Sequence, residues 1–461
     1  MSDPRGSSAG PDDAADASVE AEVVSLLSRL IQANTSNPPG DASAAARVLE
    51  RYFGDNGIAT TLVGETPELL NCIARLTGAG GSPSLLMLGH LDVVPAEAAE
   101  WAEPPFSGLV KDGYVWGRGA LDMKNQLAAQ AVAFVRLARR AEAGEGLRGD
   151  LVFAATADEE TGERCGATWL LEKAPHLVRT DFVINEGGMD MVELGDRRLY
   201  TIHAGEKGYA ACRITIRGRA GHGSVPLHHG NAVHGLAHVI AALERYEPEV
   251  SRDRLPAAFI ERAVADPALR ARLKDPASVH AALRDLAATD EAAAATIEPM
   301  LGLTFAPTIV RSDGDAVNVI PSRASVTVDC RLLPGQTADD IRRELACALA
   351  DVEESWEMEL LNLMPGSESS TQSPLRDAIA ATMDELVPDA EVICGHFSGF
   401  TDSGRFRSAF PAVVAYGFCP FIVESGAAIR PRLHGVDERI AVRDLVFQTR
   451  FSERLAYRLL A

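Results

Sequence analysis

SLLMLGHLD, residues 84–92, is the stretch on which the reading of the whole chain turns. Its apolar run is short, leucine-rich and flanked by turn residues, which predicts a strand buried on both faces of a mostly parallel sheet. At its carboxyl end stands His90, with Asp92 two residues on. Two further runs repeat the pattern. LVFAATA (151–157) leads into Asp158, Glu159 and Glu160, and DFVIN (181–185) leads into Glu186. In open α/β sheets ligands bind beyond the carboxyl ends of the strands. Three buried strands that deliver a histidine and carboxylates to the same edge therefore predict a shared site.

Taken singly, each of these residues also has a plainer reading. H-x-D places two side chains on the same side of an extended segment. Asp92 could thus accept a hydrogen bond from one imidazole nitrogen and leave the other for a metal, but a lone histidine there is more often a satisfied core residue. Asp122, in GRGALDMKN before the helical run QLAAQAVAFVRLARRA, reads as a helix cap or as a carboxylate bridging two cations. Glu159 and Glu160 read as a solvated acidic loop, or as one ligand whose neighbour reaches a bound water. Glu186 is followed by two glycines that allow close backbone approach. His434, in RLHGVDE, reads on its own as a surface-loop histidine.

Around this core the chain changes texture twice. VEAEVVSLLSRLIQA begins at Val19 as a helix, and ASAAARVLERYFGDNG is a second helix ending at glycine. Residues 1–17 are small, polar and acidic and read as a disordered tail. From Lys207 onward, strand-like YAACRITIRG (209–218) is followed by the amphipathic NAVHGLAHVIAALERYE and a mostly helical stretch over 252–300. Strands near APTIV, ASVTVDCRLL and WEMELLNLM and the helix TADDIRRELACALADV complete this region. After Pro365 the first texture returns, with SPLRDAIAATMDELV and PAVVAYGF. The expected fold is an α/β catalytic domain, a mostly parallel sheet sandwiched by helices, formed by 18–206 and 366–461. It is interrupted by an α+β domain at 207–365.

The 461 residues suffice for two or three domains, and 46% hydrophobic with 24% charged residues is ordinary for a globular protein. A net charge of −21 argues against nucleic acid or an anionic membrane as partner, while leaving an anionic substrate open. Seven cysteines, an odd count without any C-x-x-C pair, read as reduced thiols of a cytoplasmic protein. Residues 1–17 lack the basic start and apolar stretch expected of a signal peptide, and no apolar run approaches membrane-spanning length.

Eight segments in order carry a resemblance: GHLDVVP, GRGALDMK, TADEETG, INEGG, GRAGHGSVP, NVIP followed by DCR, FTDSGRF and LHGVDE. They resemble the two-zinc metallopeptidase family of aminoacylases, glutamate carboxypeptidases, acetylornithine deacetylase and succinyl-diaminopimelate desuccinylase. PPFSGLVKDGYVWGRGALD, Asn125 after D-M-K, Glu186 and the 252–300 insertion look most like its carboxypeptidase S and N-acyl-amino-acid hydrolase branch. The resemblance implies a zinc-peptidase-like catalytic domain, an inserted lid and dimerisation domain, and a homodimer. It implies two divalent ions, Zn by preference with Co or Mn also suited to nitrogen and oxygen ligands. One ion would be held by His90, Asp122 and Glu186, the other by Asp122, Glu160 and His434, with Asp92 as partner of His90 and Glu159 as base. The peptide bond after Asp122 is implied to be cis. His222 matches a histidine that stabilises the oxyanion in the active site of the partner subunit. Asn318 and Arg331 match residues that hold substrate oxygens, and Gly399 and Thr401 fall in the substrate-binding loop. The implied reaction is hydrolysis of the amide of an N-acyl amino acid or small peptide with a free carboxylate, by attack of a metal-bridging hydroxide. The alternatives are a narrow desuccinylase or deacetylase, and a binding protein that kept the fold without catalysis.

Overall fold

The computed structural model describes residues 11–161, 165–189, 191–194, 197–226, 230–250 and 256–461. The chain divides into two compact units, residues 1–204, 369–394 and 401–461 on one hand, and residues 205–368 and 395–400 on the other.

In the first unit, strands Leu85–His90, Leu151–Thr156, Phe182–Asn185 and Val414–Gly417 run parallel. Thr60–Gly64 and Leu70–Leu76 extend the sheet antiparallel beyond Leu151–Thr156, and Arg197–Glu206 lies on the other side of Val414–Gly417. The central strands are apolar along their length because both faces are covered. Leu85, Met87, Leu151 and Phe153 face one hydrophobic layer, built with helices Pro11–Gln32, Ser43–Asp55, Lys124–Glu142, Pro374–Leu386 and Val442–Leu460. Leu86, Leu88, Val152 and Ala154 face the other, built with Ala167–Lys173 and Asp402–Ala409. The registers set His90 opposite Thr156 and Gly417 opposite Asn185, so the parallel strands finish side by side.

The first helix begins at Pro11, which corrects the expected tail: residues 11–17 are helical, and residues 1–10 lie outside the described residues. Proline is tolerated in the first turn, where its missing N–H has no partner to lose, and the alanines that follow are strong helix formers.

The second unit is a four-stranded antiparallel sheet in the order Thr304–Ser312, Arg323–Leu332, Gly208–Arg217, Trp356–Met364. Val326, Val328, Cys330 and Leu332 alternate inward against helices Ala232–Glu244 and Ala338–Ala348. The 252–300 stretch forms four short helices between Ala257 and Ile297, with 252–255 outside the described residues. Lys207 anchors the end of this insertion by donating to the carbonyls of Pro299 (2.8 Å) and Gly302 (2.7 Å). Burial lowers its pKa to about 7. The seams fall at 204/205 and 368/369, where sequence texture places them at 206/207 and 365/366. Residues 395–400 also join the second unit. There the Lys207 N–H donates to the Phe397 carbonyl (2.9 Å), and His396 pairs with Glu368 (3.0 Å).

Phe53, fully buried, meets the rings of Phe134 and Phe153 edge-on at 5.5 and 5.2 Å between centroids. Phe53→Ala is expected to cost about 3–5 kcal/mol, read from the shift of the first unit's transition in chemical denaturation.

Candidate metal centre

Beyond the strand ends, two clusters of potential ligands share one carboxylate. His90, Asp122 and Glu186 form the first, and Asp122, Glu160 and His434 the second, each with its donor atoms within 4.8 Å of one another. His90 Nε2 lies 3.1 Å from Asp122 Oδ1 and 3.6 Å from Glu186 Oε2. His434 Nε2 lies 3.2 Å from Asp122 Oδ2 and 3.2 Å from Glu160 Oε2. Asp122 therefore turns one oxygen to each imidazole. The peptide bond that follows it is cis. Glu160 Oε1 and Glu186 Oε1 are buried without a hydrogen-bond partner. Buried carboxylate oxygens left over among imidazole nitrogens are a donor set that fits divalent cations.

Asp92 meets His90 first through its main chain. The acceptor nearest His90 Nδ1 is the Asp92 main-chain oxygen (2.9 Å), while its carboxylate is 3.6 Å away. That carboxylate instead accepts the N–H groups of Glu159 (3.0 Å) and Glu160 (3.0 Å) and the Asn37 side-chain amide (3.0 Å). Asn37 also donates to Asp158 (2.8 Å). One buried amide thus joins the H-x-D turn to the D-E-E turn, and the Asp92 carboxylate holds the backbone from which Glu159 and Glu160 project. Lys124 is buried two residues after Asp122 and donates to the carbonyls of Leu30 (2.9 Å) and Ala33 (2.9 Å), at the end of the first helix.

Electrostatics follow from this crowding. Burial raises the Glu159 carboxyl well above the ordinary range, and Glu186 adds to the shift. Burial also brings Glu186 to about 7. Burial opposes ionisation of Asp122 too, yet the hydrogen bonds and charges of His434 and His90 outweigh it and hold that carboxyl low. Hydrogen bonds to Asp122 and then Glu160 raise His434 to about 10.

The remaining expected residues are placed as follows. Thr401 is buried and caps helix Asp402–Ala409, its hydroxyl accepting the Ser403 N–H (3.1 Å). In the second unit, His222 is exposed and its Nδ1 lies 2.7 Å from the Ser224 hydroxyl. It pairs with Val319 across a two-residue ladder, and the neighbouring Asn318 carbonyl accepts the Gly223 N–H (2.7 Å), so His222 and Asn318 lie close together across that ladder. Arg331 grips Asp329 with two hydrogen bonds (2.8 and 3.1 Å) and lies over the Tyr209 ring. Gly399 offers only backbone, and a Cβ there would meet the Phe397 ring at 2.5 Å. Asn37, Lys124, Arg118 and Glu438 were not singled out from sequence. The last three lie inside the quoted segments, but nothing in one-dimensional spacing marks them as buried bridges.

Residues 86–458 match Peptidase family M20/M25/M40. The chain belongs to this family of metallopeptidases and related amide hydrolases. It is 26% identical over 369 residues to a probable carboxypeptidase S-like 2 of Dictyostelium discoideum, covering 78% of this chain and 68% of that one. It is 37% identical over 180 residues to the succinyl-diaminopimelate desuccinylase of Methylorubrum populi, covering 39% of this chain and 44% of the relative. The M20 family metallo-carboxypeptidase Sso-CP2 of Sulfolobus solfataricus superimposes with a TM-score of 0.70 at 17% identity, over 95% of this chain and 99% of that one. No helix among the described residues is long and apolar enough to cross a membrane.

With its pKa raised to about 10, His434 is protonated at neutral pH, and a cation that takes its Nε2 must displace that proton. Zinc affinity of the metal-free protein is therefore expected to rise with pH. Calorimetric titrations in buffers of different ionisation enthalpy should show proton release on binding; uptake without it would contradict this electrostatic picture.

Proposed function

We propose that the protein is a two-metal amidohydrolase that releases a free amino acid from an N-acyl amino acid or small peptide. The observation that carries this reading is the Asp122 carboxylate shared by two three-ligand clusters, with the half-buried Glu159 beside them. His90, Asp122 and Glu186 would hold one divalent ion, and Asp122, Glu160 and His434 the other, Zn being favoured by the nitrogen and oxygen donors. Bound ions supply Lewis acidity to the substrate carbonyl and make water easier to deprotonate.

The rest of the chemistry belongs to the chain. Glu159 has its proton affinity raised by burial, which suits it to take the proton of the attacking water and pass it to the leaving amine. Asp92 holds the Glu159 and Glu160 backbone, so base and ligand keep their separate directions. His222 donates to the developing oxyanion. Arg331, oriented by Asp329, and Asn318 take the substrate carboxylate, a planar group that a guanidinium fork suits. Gly399 and Thr401 shape the substrate loop by backbone.

A homodimer is supported by strand Thr304–Ser312, which forms an outer edge of the second unit's sheet and exposes Ile309 (47%) and Val310 (61%). The absence of disulfides among the described cysteines supports a cytoplasmic setting. A narrow desuccinylase is the second reading, favoured by the partial likeness to that enzyme.

A panel of N-acetyl, N-succinyl and long-chain N-acyl amino acids, dipeptides and a glutamate conjugate separates these readings. Turnover confined to N-succinyl substrates selects the second, and no turnover at all with metal bound removes both. Glu159→Gln is expected to lower kcat about a hundred- to ten-thousandfold with metal content unchanged, as measured by elemental analysis; near-normal turnover would remove Glu159 as base. His222→Ala should also cripple turnover. Mixing it with Glu159→Gln restores activity if the histidine acts across subunits, and leaves the mixture inactive if it acts within one chain.

A further inference from the structure

We infer that the buried Arg118–Glu438 pair is a positioning device that sets Asp122 and His434 for the ion they share, an inference that rests on the two-ion reading above. The pair works crosswise. Glu438 belongs to the His434 loop, yet its Oε1 accepts the N–H groups of Leu121 (2.6 Å) and Asp122 (3.1 Å). Arg118 belongs to the Asp122 segment, yet its Nη2 donates to the carbonyls of His434 (3.3 Å) and Gly435 (2.9 Å). Arg118 Nη1 closes the bridge on Glu438 Oε2 at 2.7 Å. Each segment thus holds the main chain of the other's ligand. Both charges are nearly inaccessible, Arg118 at 3% and Glu438 at 0% exposure, and charge-assisted hydrogen bonds of this kind are strong and directional.

The His434 loop needs such an anchor more than the rest of the site does. His434 and Asp437 both adopt a left-handed backbone, φ 56° at each, which residues with a Cβ avoid without external restraint. The His434 side chain is 53% exposed, against 1% for His90, so packing does little to fix it. His90 ends a buried strand and is held by the sheet. The ion coordinated through His434 should therefore depend on the bridge, and the ion coordinated through His90 and Glu186 much less.

The test is zinc binding by the metal-free full chain, competed against a chromophoric chelator, for the wild type, R118K, H434A, the double variant R118K/H434A, and E438Q. R407K serves as a destabilised control, because buried Arg407 donates to the Ala415 carbonyl (2.7 Å) away from the ligands. R118K is expected to raise the dissociation constant of the same ion that H434A affects, by about ten- to hundredfold. The other constant should stay within about twofold. Because both changes act through one ligand, R118K should add less than about twofold on the H434A background. E438Q, which keeps an acceptor for the Leu121 and Asp122 N–H groups but loses the charge that holds Arg118, should weaken the same ion as R118K, and it replaces R118K as the deciding variant if circular dichroism shows that R118K is unfolded. The inference is overturned if both variants bind both ions as the wild type does while their melting temperature falls as that of R407K. Full additivity of R118K and H434A would also overturn it. Wild-type protein that takes up fewer than two ions would sink the two-ion reading itself, and this inference with it.

Discussion

Asp122 stands between two imidazoles, with one carboxylate oxygen toward His90 and the other toward His434. Most of what surrounds it can be understood as the means of keeping it there. Glu159, Glu160 and Glu186 crowd the same corner, and like charges brought together in a poorly solvated place repel strongly. Without cations, burial and the Glu186 carboxylate raise the proton affinity of Glu159, neighbouring carboxylates raise that of both imidazoles, and His434 and His90 hold the Asp122 carboxyl low. A corner arranged in this way has a standing preference for positive charge.

The sheet supplies the first approximation to this geometry and buried polar groups supply the refinement. Parallel registers put His90 beside Thr156, three residues ahead of Glu159. From there the turns are set by single side chains: Asp92 on the Glu159 and Glu160 amides, Asn37 between Asp92 and Asp158, and Lys124 on the last carbonyls of the first helix. All of these are buried, where an unpaired polar group is costly. Their partners are therefore specified closely, and the turns have few alternatives.

The sequence made the central strands legible for a physical reason. Strands covered on both faces must be apolar throughout, so SLLMLG, LVFAATA and DFVIN stand out, and the polar residues just past them stand out in turn. Thr60–Gly64, at the outer edge, lacks that constraint and gives no comparable run. The helix over 11–17 was hidden because a short, acidic, alanine-rich stretch has the composition of a tail as well as of a helix. The candidate ligands are read from motif order, whereas the Arg118–Glu438 bridge joins positions 320 residues apart, a distance over which local pattern carries no signal. Thr401 shows the converse. Its place in a recognisable segment suggests substrate contact, and the structure adds a role that the segment does not announce, since its hydroxyl accepts the Ser403 N–H at the start of a helix.

The strand order of the first unit has a consequence for how the protein is made. Val414–Gly417 sits beside Phe182–Asn185, and His434 with Glu438 comes later still. A ribosome therefore delivers His90, Asp122, Glu160 and Glu186 long before the strand that completes their sheet. The second unit, continuous over 205–368 except for the 395–400 segment, emerges in between with nearly all of its own partners. Newborn chains must carry a sheet whose Phe182–Asn185 edge is still open past the synthesis of the second unit. The burden on chaperones and the exposure to aggregation thus fall on the first unit, where non-local pairing is slowest to be satisfied.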